Sequence, residues 1–192
     1  MCRLQSSAAL SAFLWASPLR QGSCPRCQHQ AASDWLARQQ SKLIPVDYYM
    51  ATFTLPEGLR ALAMRQPNEV FDALFQAASN TLKSFGRNHH QLKAELGFCA
   101  VLHTHSRRLD YHPHLHVVIP GGGIDVRRRQ WRKLTGRYLP SNFPKWGRQL
   151  AKVFRAKLID GLKAAGVELP HGLPTQWIVH CAHVGTGLPA LK

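Results

Sequence analysis

Between His112 and Ile119 the chain reads His-Pro-His-Leu-His-Val-Val-Ile, and its chemistry lies in the alternation. In an extended strand alternate side chains share a face, so His114 and His116 point the same way, about 6.5 to 7 Å apart, while Leu115, Val117 and Ile119 face the opposite layer. Two imidazoles on one face can hold one metal ion, although an isolated His-x-His is equally at home on the polar side of an amphipathic strand. The upstream segment His103-Thr104-His105 has the same period. A symmetric hairpin joining the two would set His105 opposite His114 and His103 opposite His116, with all four imidazoles on one face. The inference depends on register, because a slip of one residue sends His103 and His105 to the other side. His103 is the expected third ligand and His105 its reserve.

Imidazole alone does not choose the metal. It suits Zn, Cu, Fe and Ni, whereas Mg and Mn favour carboxylate and water. A phosphodiester supplies oxygen ligands of its own, so a two- or three-His site with open positions can hold Mg or Mn against a phosphate, polarise it and orient it for in-line attack.

A second ligand pattern lies upstream. Cys24-Pro-Arg-Cys27 has the spacing of half a tetrahedral zinc site, with His29 as a candidate third ligand; two reduced thiols are the plainer reading, since a structural site closes with four ligands. The five cysteines form an odd set with one close pair, which excludes a dense secreted disulfide scaffold and favours a reducing cytosol. The stretch Ala8 to Ala16 imitates a signal peptide but is broken by Ser11. No apolar run reaches the roughly 20 residues that span a bilayer, so no membrane partner is expected.

Charge points to the partner. Among 192 residues, 25 Lys and Arg stand against 10 Asp and Glu, a net charge of +15 that would repel itself in a compact body without a polyanion. Arg127 to Lys157 holds 11 basic and no acidic residues, interleaved with Trp131, Tyr138, Phe143, Trp146 and Phe154. Basic side chains alternating with rings suit the backbone and bases of a single strand. Arg127, Arg128, Arg129, Arg132 and Lys133 are the first candidates for phosphate contacts, followed by Arg148, Lys152 and Arg155 along the wet side of a helix. A non-enzymatic basic module binding RNA or DNA is the competing reading.

The elements that must position these groups follow from periodicity. Residues 1 to 23 receive no assignment, and Trp35 to Leu43 reads as a short helix. A strand is expected from Tyr48 to Thr54, then a helix from Asn68 to Phe85 that Gly86 terminates. Gly97 to His105 reads as a buried strand, joined by a polar connection containing Tyr111 to a strand over His114 to Ile119. Pro120-Gly-Gly-Gly123 reads as a flexible turn, Trp146 to Ala165 as an amphipathic helix, and Gln176 to His183 as a last strand on which His180 and Cys181 face opposite sides. The order implies an α+β fold, a mainly antiparallel sheet with helices packed on it in two layers.

Taken in order, Cys24-Pro-Arg-Cys27-Gln28, Trp35-Leu36, Leu43-Ile-Pro-Val46, Phe53-Thr-Leu-Pro56, Leu102-His-Thr104, His112-Pro-His-Leu-His116, Pro120-Gly-Gly-Gly123 and Trp177-Ile-Val-His-Cys181 resemble the HUH nucleases. Within that class they are most similar to the two-tyrosine transposases of rolling-circle insertion sequences. The resemblance implies an HUH-like domain over residues 45–192, preceded over 1–44 by a reduced zinc-binding module and linker helix. It implies that His114 and His116 bind the divalent ion. It further implies a tyrosine that attacks single-stranded DNA at the ends of a mobile element, in a bacterial cytoplasm, storing the bond energy as a phosphotyrosine ester. The family's tyrosine helix follows the strand matched by Trp177 to Cys181, so a chain ending at Lys192 is expected to be catalytically incomplete. Tyr48, Tyr49, Tyr111 and Tyr138 are expected to pack or to stack.

Overall fold

The alternation in Asp47–Thr54 predicts one wet and one dry face, and the strand it forms is the hub of the sheet. The computed structural model describes residues 15–16, 33–34, 36–38, 40–89, 92–106, 108–134 and 143–187. Strands β1 (Trp15–Ala16), β2 (Asp47–Thr54), β3 (Cys99–His105), β4 (Tyr111–Pro120) and β7 (Val179–Thr186) form one sheet in the order β1-β3-β4-β2-β7. Every neighbouring pair is antiparallel except β1 with β3. A separate two-stranded ribbon, β5 (Gly122–Asp125) and β6 (Gln130–Lys133), is inserted after β4.

Helix α1 (Arg60–Arg65) and the longer α2 (Pro67–Asn88) lead from β2 to β3, and α3 (Phe143–Ala164) leads toward β7. The main-sheet order therefore carries two crossings, each with another strand slotted between its ends, the split β-α-β arrangement. Both long helices lie on one side. Their buried Val70, Leu74, Leu82, Phe154, Leu158 and Leu162 share one core with Ala51, Phe53, Leu115, Val117, Val179 and Cys181 of the strands. The ring of Phe154 meets Phe53 edge-on at 5.0 Å and Trp177 at 5.7 Å.

The two long helices and the main strands are present, with several departures, among them a short β1 and the β5–β6 ribbon where neither was expected. Helix α2 begins at Pro67, where the missing N–H costs nothing, and runs through Gly86 to Asn88. Gly86 is a packing glycine and not a stop, since a Cβ there would lie 2.7 Å from the Ala94 carbonyl and from Leu96. Pro120 to Gly123 is no flexible turn: Gly122 and Gly123 belong to β5, where a Cβ on Gly123 would stand 2.7 Å from the carbonyl of Glu95, which bridges to Ile124. The last strand begins at Val179, after Trp177 has turned its indole N–H to the Pro174 carbonyl at 3.0 Å. Tyr111 is not in a loop but opens β4.

Candidate metal centre

The hairpin that holds the histidines does not keep the symmetric register. His103 lies opposite His114, and Val101 opposite His116, a displacement of two residues from the expected pairing. A further irregularity between His103 and His105 leaves His105 opposite Tyr111. From His103 to His105 one strand advances two residues, while from His114 back to Tyr111 the other advances three, which is a bulge on β4 around Pro113. Proline explains it: with no N–H to offer the ladder, it is confined to edges and bulges. Its own carbonyl accepts the Leu55 N–H at 3.0 Å from outside that hairpin.

Because side-chain direction has period two, a shift of two keeps His103 on the face of His114 and His116. The three imidazoles each offer a nitrogen within 4.8 Å of the others. Their ring centroids stand 4.5 Å apart for His103 and His116, 4.8 Å for His114 and His116, and 5.3 Å for His103 and His114. His105, the expected reserve, is not brought in; its ring sits 5.8 Å from that of Tyr111.

Hydrogen bonds aim the rings. The Nδ1 of His114 donates to the His112 carbonyl at 2.6 Å, and since a carbonyl can only accept, the Nε2 of neutral His114 carries the lone pair. Thr52 Oγ1 and Met50 Sδ lie 3.4 and 3.2 Å from Nδ1 of His116. Nδ1 of both rings is thereby engaged, and the two Nε2 atoms face each other at 3.1 Å. Bonds of about 2.1 Å to one cation place neighbouring ligand atoms ~3.0 Å apart in an octahedron and ~3.4 Å apart in a tetrahedron, so the pair fits a single ion.

Burial, followed by the neighbouring His103 and His114, pushes the His116 imidazole down to about 4. Burial and then His114 lower that of His103. A histidine held neutral in the fold but free to protonate near 6.5 when unfolded costs stability as the pH falls from about 6.5 to about 4, because the unfolded chain binds the extra proton. Metal-free protein is therefore expected to lose about 1 to 2 kcal/mol from His116 across that window, after allowance for solvent screening at a half-buried site. Urea denaturation at pH 7 and pH 5 checks this; an equally large drop in His116→Gln would assign the effect elsewhere.

Two residues at this site have no signal in local sequence. Arg60, at the start of α1, donates from Nη2 to the Nδ1 of His112 at 2.7 Å, and its own Nε is buried without a partner. Thr52 reaches the site through β2, which pairs Thr52 with His116 on one side and with His180 on the other. His180 thus shares the wet face, exposed, while Cys181 enters the core, its thiol pushed up to about 12 by burial.

The described tyrosines are engaged elsewhere. Tyr49 lies in the core, Tyr111 packs against the core with its ring 5.8 Å from that of His105, and the Tyr48 hydroxyl accepts the Ile44 N–H at 3.1 Å. Tyr138 lies outside the described residues, as do Cys24, Cys27 and His29.

The candidate phosphate contacts fall into two groups. Arg127, Arg128 and Arg129 form the tip of the β5–β6 ribbon, and Arg132 and Lys133 lie on β6. Asp125 braces that tip: its Oδ1 accepts the Arg127 and Arg128 backbone N–H groups at 3.1 Å, and its Oδ2 pairs with Arg132 at 2.9 Å and Arg128 at 3.4 Å. The backbone bond from Arg128 above all, with both guanidinium groups, holds the Asp125 carboxyl below the ordinary carboxylate range. Arg148, Lys152 and Arg155 lie on α3, in the layer behind the sheet and not on the imidazole face. Arg155 also donates to the Pro174 carbonyl at 3.3 Å and sits 6.0 Å from the Trp177 ring.

The chain is similar to known proteins over much of its length. Residues 97–187 match the family described as "Putative transposase", and residues 14–55 match the family described as "Transposase zinc-binding domain". A "Putative transposase y4qJ" of Sinorhizobium fredii (strain NBRC 101917 / NGR234) is 38% identical over 147 residues, covering 76% of this chain and 35% of the relative. The "Transposase for insertion sequence element IS801" of Pseudomonas savastanoi pv. phaseolicola is 31% identical over 130 residues, covering 61% of this chain and 31% of the relative. The chain thus spans about a third of the length of the curated relatives it matches. Two structures of the conjugative relaxase TrwC, one in complex with mutant oriT DNA and one copper-bound with oriT DNA, each have a TM-score of 0.50 at 23% identity. They cover 67% of this chain, and 48% and 46% of the relaxase chains. That likeness is one of fold.

Proposed function

We propose that the chain is a rolling-circle insertion-sequence transposase and, from that premise, that it binds single-stranded DNA at the ends of a mobile element, with a divalent metal held by His103, His114 and His116. The observation that carries the reading is the convergence of two imidazole Nε2 atoms whose Nδ1 atoms are engaged elsewhere. Mg or Mn is the metal proposed, because a phosphodiester oxygen and water complete a set that three imidazoles leave open. Bound there, such an ion would polarise the scissile phosphate for nicking and strand transfer. Around it, the chain's own residues orient the rings, and β2, through Thr52 and Met50, fixes the floor on which the strand lies. Cys24 and Cys27 are proposed as thiolate ligands of zinc within the stretch that matches the zinc-binding domain. The bacterial cytoplasm is the proposed location; among the described residues no helix is long and apolar enough to cross a membrane. A purely binding module is the less favoured reading, since it gives the converging nitrogens no use.

The β5–β6 ribbon is proposed as the backbone grip. Arg129 supports this with its φ of +54°, a conformation that strains any side chain but suits glycine, so the arginine is held there at a cost. Arg128 and Arg132 already share Asp125, leaving Arg127 and Arg129 as the donors with most to give a phosphate. Replacing Arg127 and Arg129 with alanine is expected to flatten the slope of log affinity against log salt by about 1.4, two phosphates at ~0.7 each for a single strand. Replacing Arg128 and Arg132 is expected to change it less. Fluorescence anisotropy over a salt series measures both, and an unchanged slope in the first pair would place the DNA elsewhere.

A further inference from the structure

Arginine is a donor through all its N–H groups and accepts nothing. The 2.7 Å bond from Arg60 therefore makes the Nδ1 of His112 an acceptor, and the ring's proton must reside on Nε2. In an imidazole the two nitrogens point in widely separated directions, so fixing one toward Arg60 turns the other away from it. His112 shares β4 with His114 and His116, its ring centroid 5.4 Å from that of His114. Its backbone carbonyl is also the acceptor that orients His114. One residue is thus tied to the metal-site imidazoles by its main chain and to a cation from α1 by its side chain. Both ties hold its ring beside that of His114.

We propose that His112, locked by Arg60 in its Nε2–H form, is a binding residue that donates a hydrogen bond to a non-bridging oxygen of the phosphodiester at the metal site, with Arg60 as its positioning residue. The inference deepens the metal and single-strand reading above and rests on it. A phosphodiester oxygen is the chemistry that fits: it accepts and never donates, and a metal on one oxygen leaves the other in need of a donor. This role adds a reason for the burial of the Arg60 Nε. A guanidinium with one nitrogen lacking a partner is costly to keep there, and it earns its place by holding a neutral donor where a flexible one would lose affinity to rotation.

The test uses the whole chain and needs no known target site. Nitrogen-15 spectra of the imidazoles are expected to show His112 in a single Nε2–H form, which mixes in Arg60→Met; a wild-type His112 protonated on Nδ1 overturns the proposal without any variant. Binding of a mixed-sequence single-stranded oligonucleotide is then measured with and without Mn²⁺, and binding of Mn²⁺ alone by calorimetry. His112→Phe, which keeps a planar ring and removes the donor, is expected to lose about tenfold of the Mn²⁺-dependent DNA affinity, while Mn²⁺ alone binds within about twofold of wild type. Unchanged DNA affinity overturns the proposal, as does an equal fall in affinity for Mn²⁺ alone, which would make His112 a support of the metal ligands only. A wild type whose DNA binding ignores Mn²⁺ overturns the metal reading itself and this inference with it.

Discussion

Replacing His114 and His116 together with alanine is expected to lower Mn²⁺ affinity by at least ~100-fold, beyond the 10- to 100-fold typical of disturbing a ligand's outer partner. The two rings supply the Nε2 atoms that face each other at 3.1 Å, and His103 alone cannot hold an ion that also binds water readily. His103→Ala is expected to be intermediate. His105→Ala is expected to stay within about twofold, because a ring beside Tyr111 cannot reach the centre. Titration calorimetry of the four proteins decides between registers as well as between functions. In the symmetric register His105 would be a near neighbour of His114 and its loss would cost as much as that of His103. Equal Mn²⁺ binding by wild type and the double variant would remove the site altogether.

Phe154→Ala is expected to destabilise the protein by about 4 kcal/mol, in the range for fully buried aromatic truncations, and to lower Tm by on the order of 10 °C. Its side chain is wholly buried and wedged between the ring of Phe53 on β2 and that of Trp177 just before β7. The loss combines transferred apolar area, two edge-on ring contacts and a cavity between the helix layer and the sheet. Phe53 lies next to Thr52 on the strand that floors the metal centre, so the wedge supports the site's geometry from the opposite face. The neighbouring Val153→Ala, at a position 40% exposed, is expected to cost under about 0.5 kcal/mol. Urea titration of both variants measures the contrast. A cost below about 1 kcal/mol for Phe154→Ala would mean that the layers collapse to fill the space.

Local pattern was sufficient wherever the deciding interaction was local. The apolar spacing of Val70, Leu74 and Leu82 and of Leu150, Phe154 and Leu158 repeats with the helical turn, so both long helices were visible before any packing was known. The alternation of Leu115 and Val117 with His114 and His116 placed the imidazoles on the wet face. That parity also protected the assignment of His103, since a two-residue displacement leaves the face unchanged. The excess of positive charge and its concentration between Arg127 and Lys157 are properties of composition, independent of fold.

Tertiary structure decided the rest, and in most cases the deciding partner lies on another element. The bulge at Pro113 moved His105 out of the centre, because a missing N–H is felt only once a neighbouring strand offers its carbonyl. Asp125 took up Arg128 and Arg132, an outcome fixed by the curl of the ribbon and not by the count of arginines. Gly122 and Gly123 became strand where Glu95, far upstream, came to bridge Ile124. Arg60 stands 52 residues before His112, and no periodicity relates them. A residue's face is settled by bond geometry over two positions, so sequence determines it; a residue's partner is settled by which surfaces the buried core brings together, so only the folded chain can choose it.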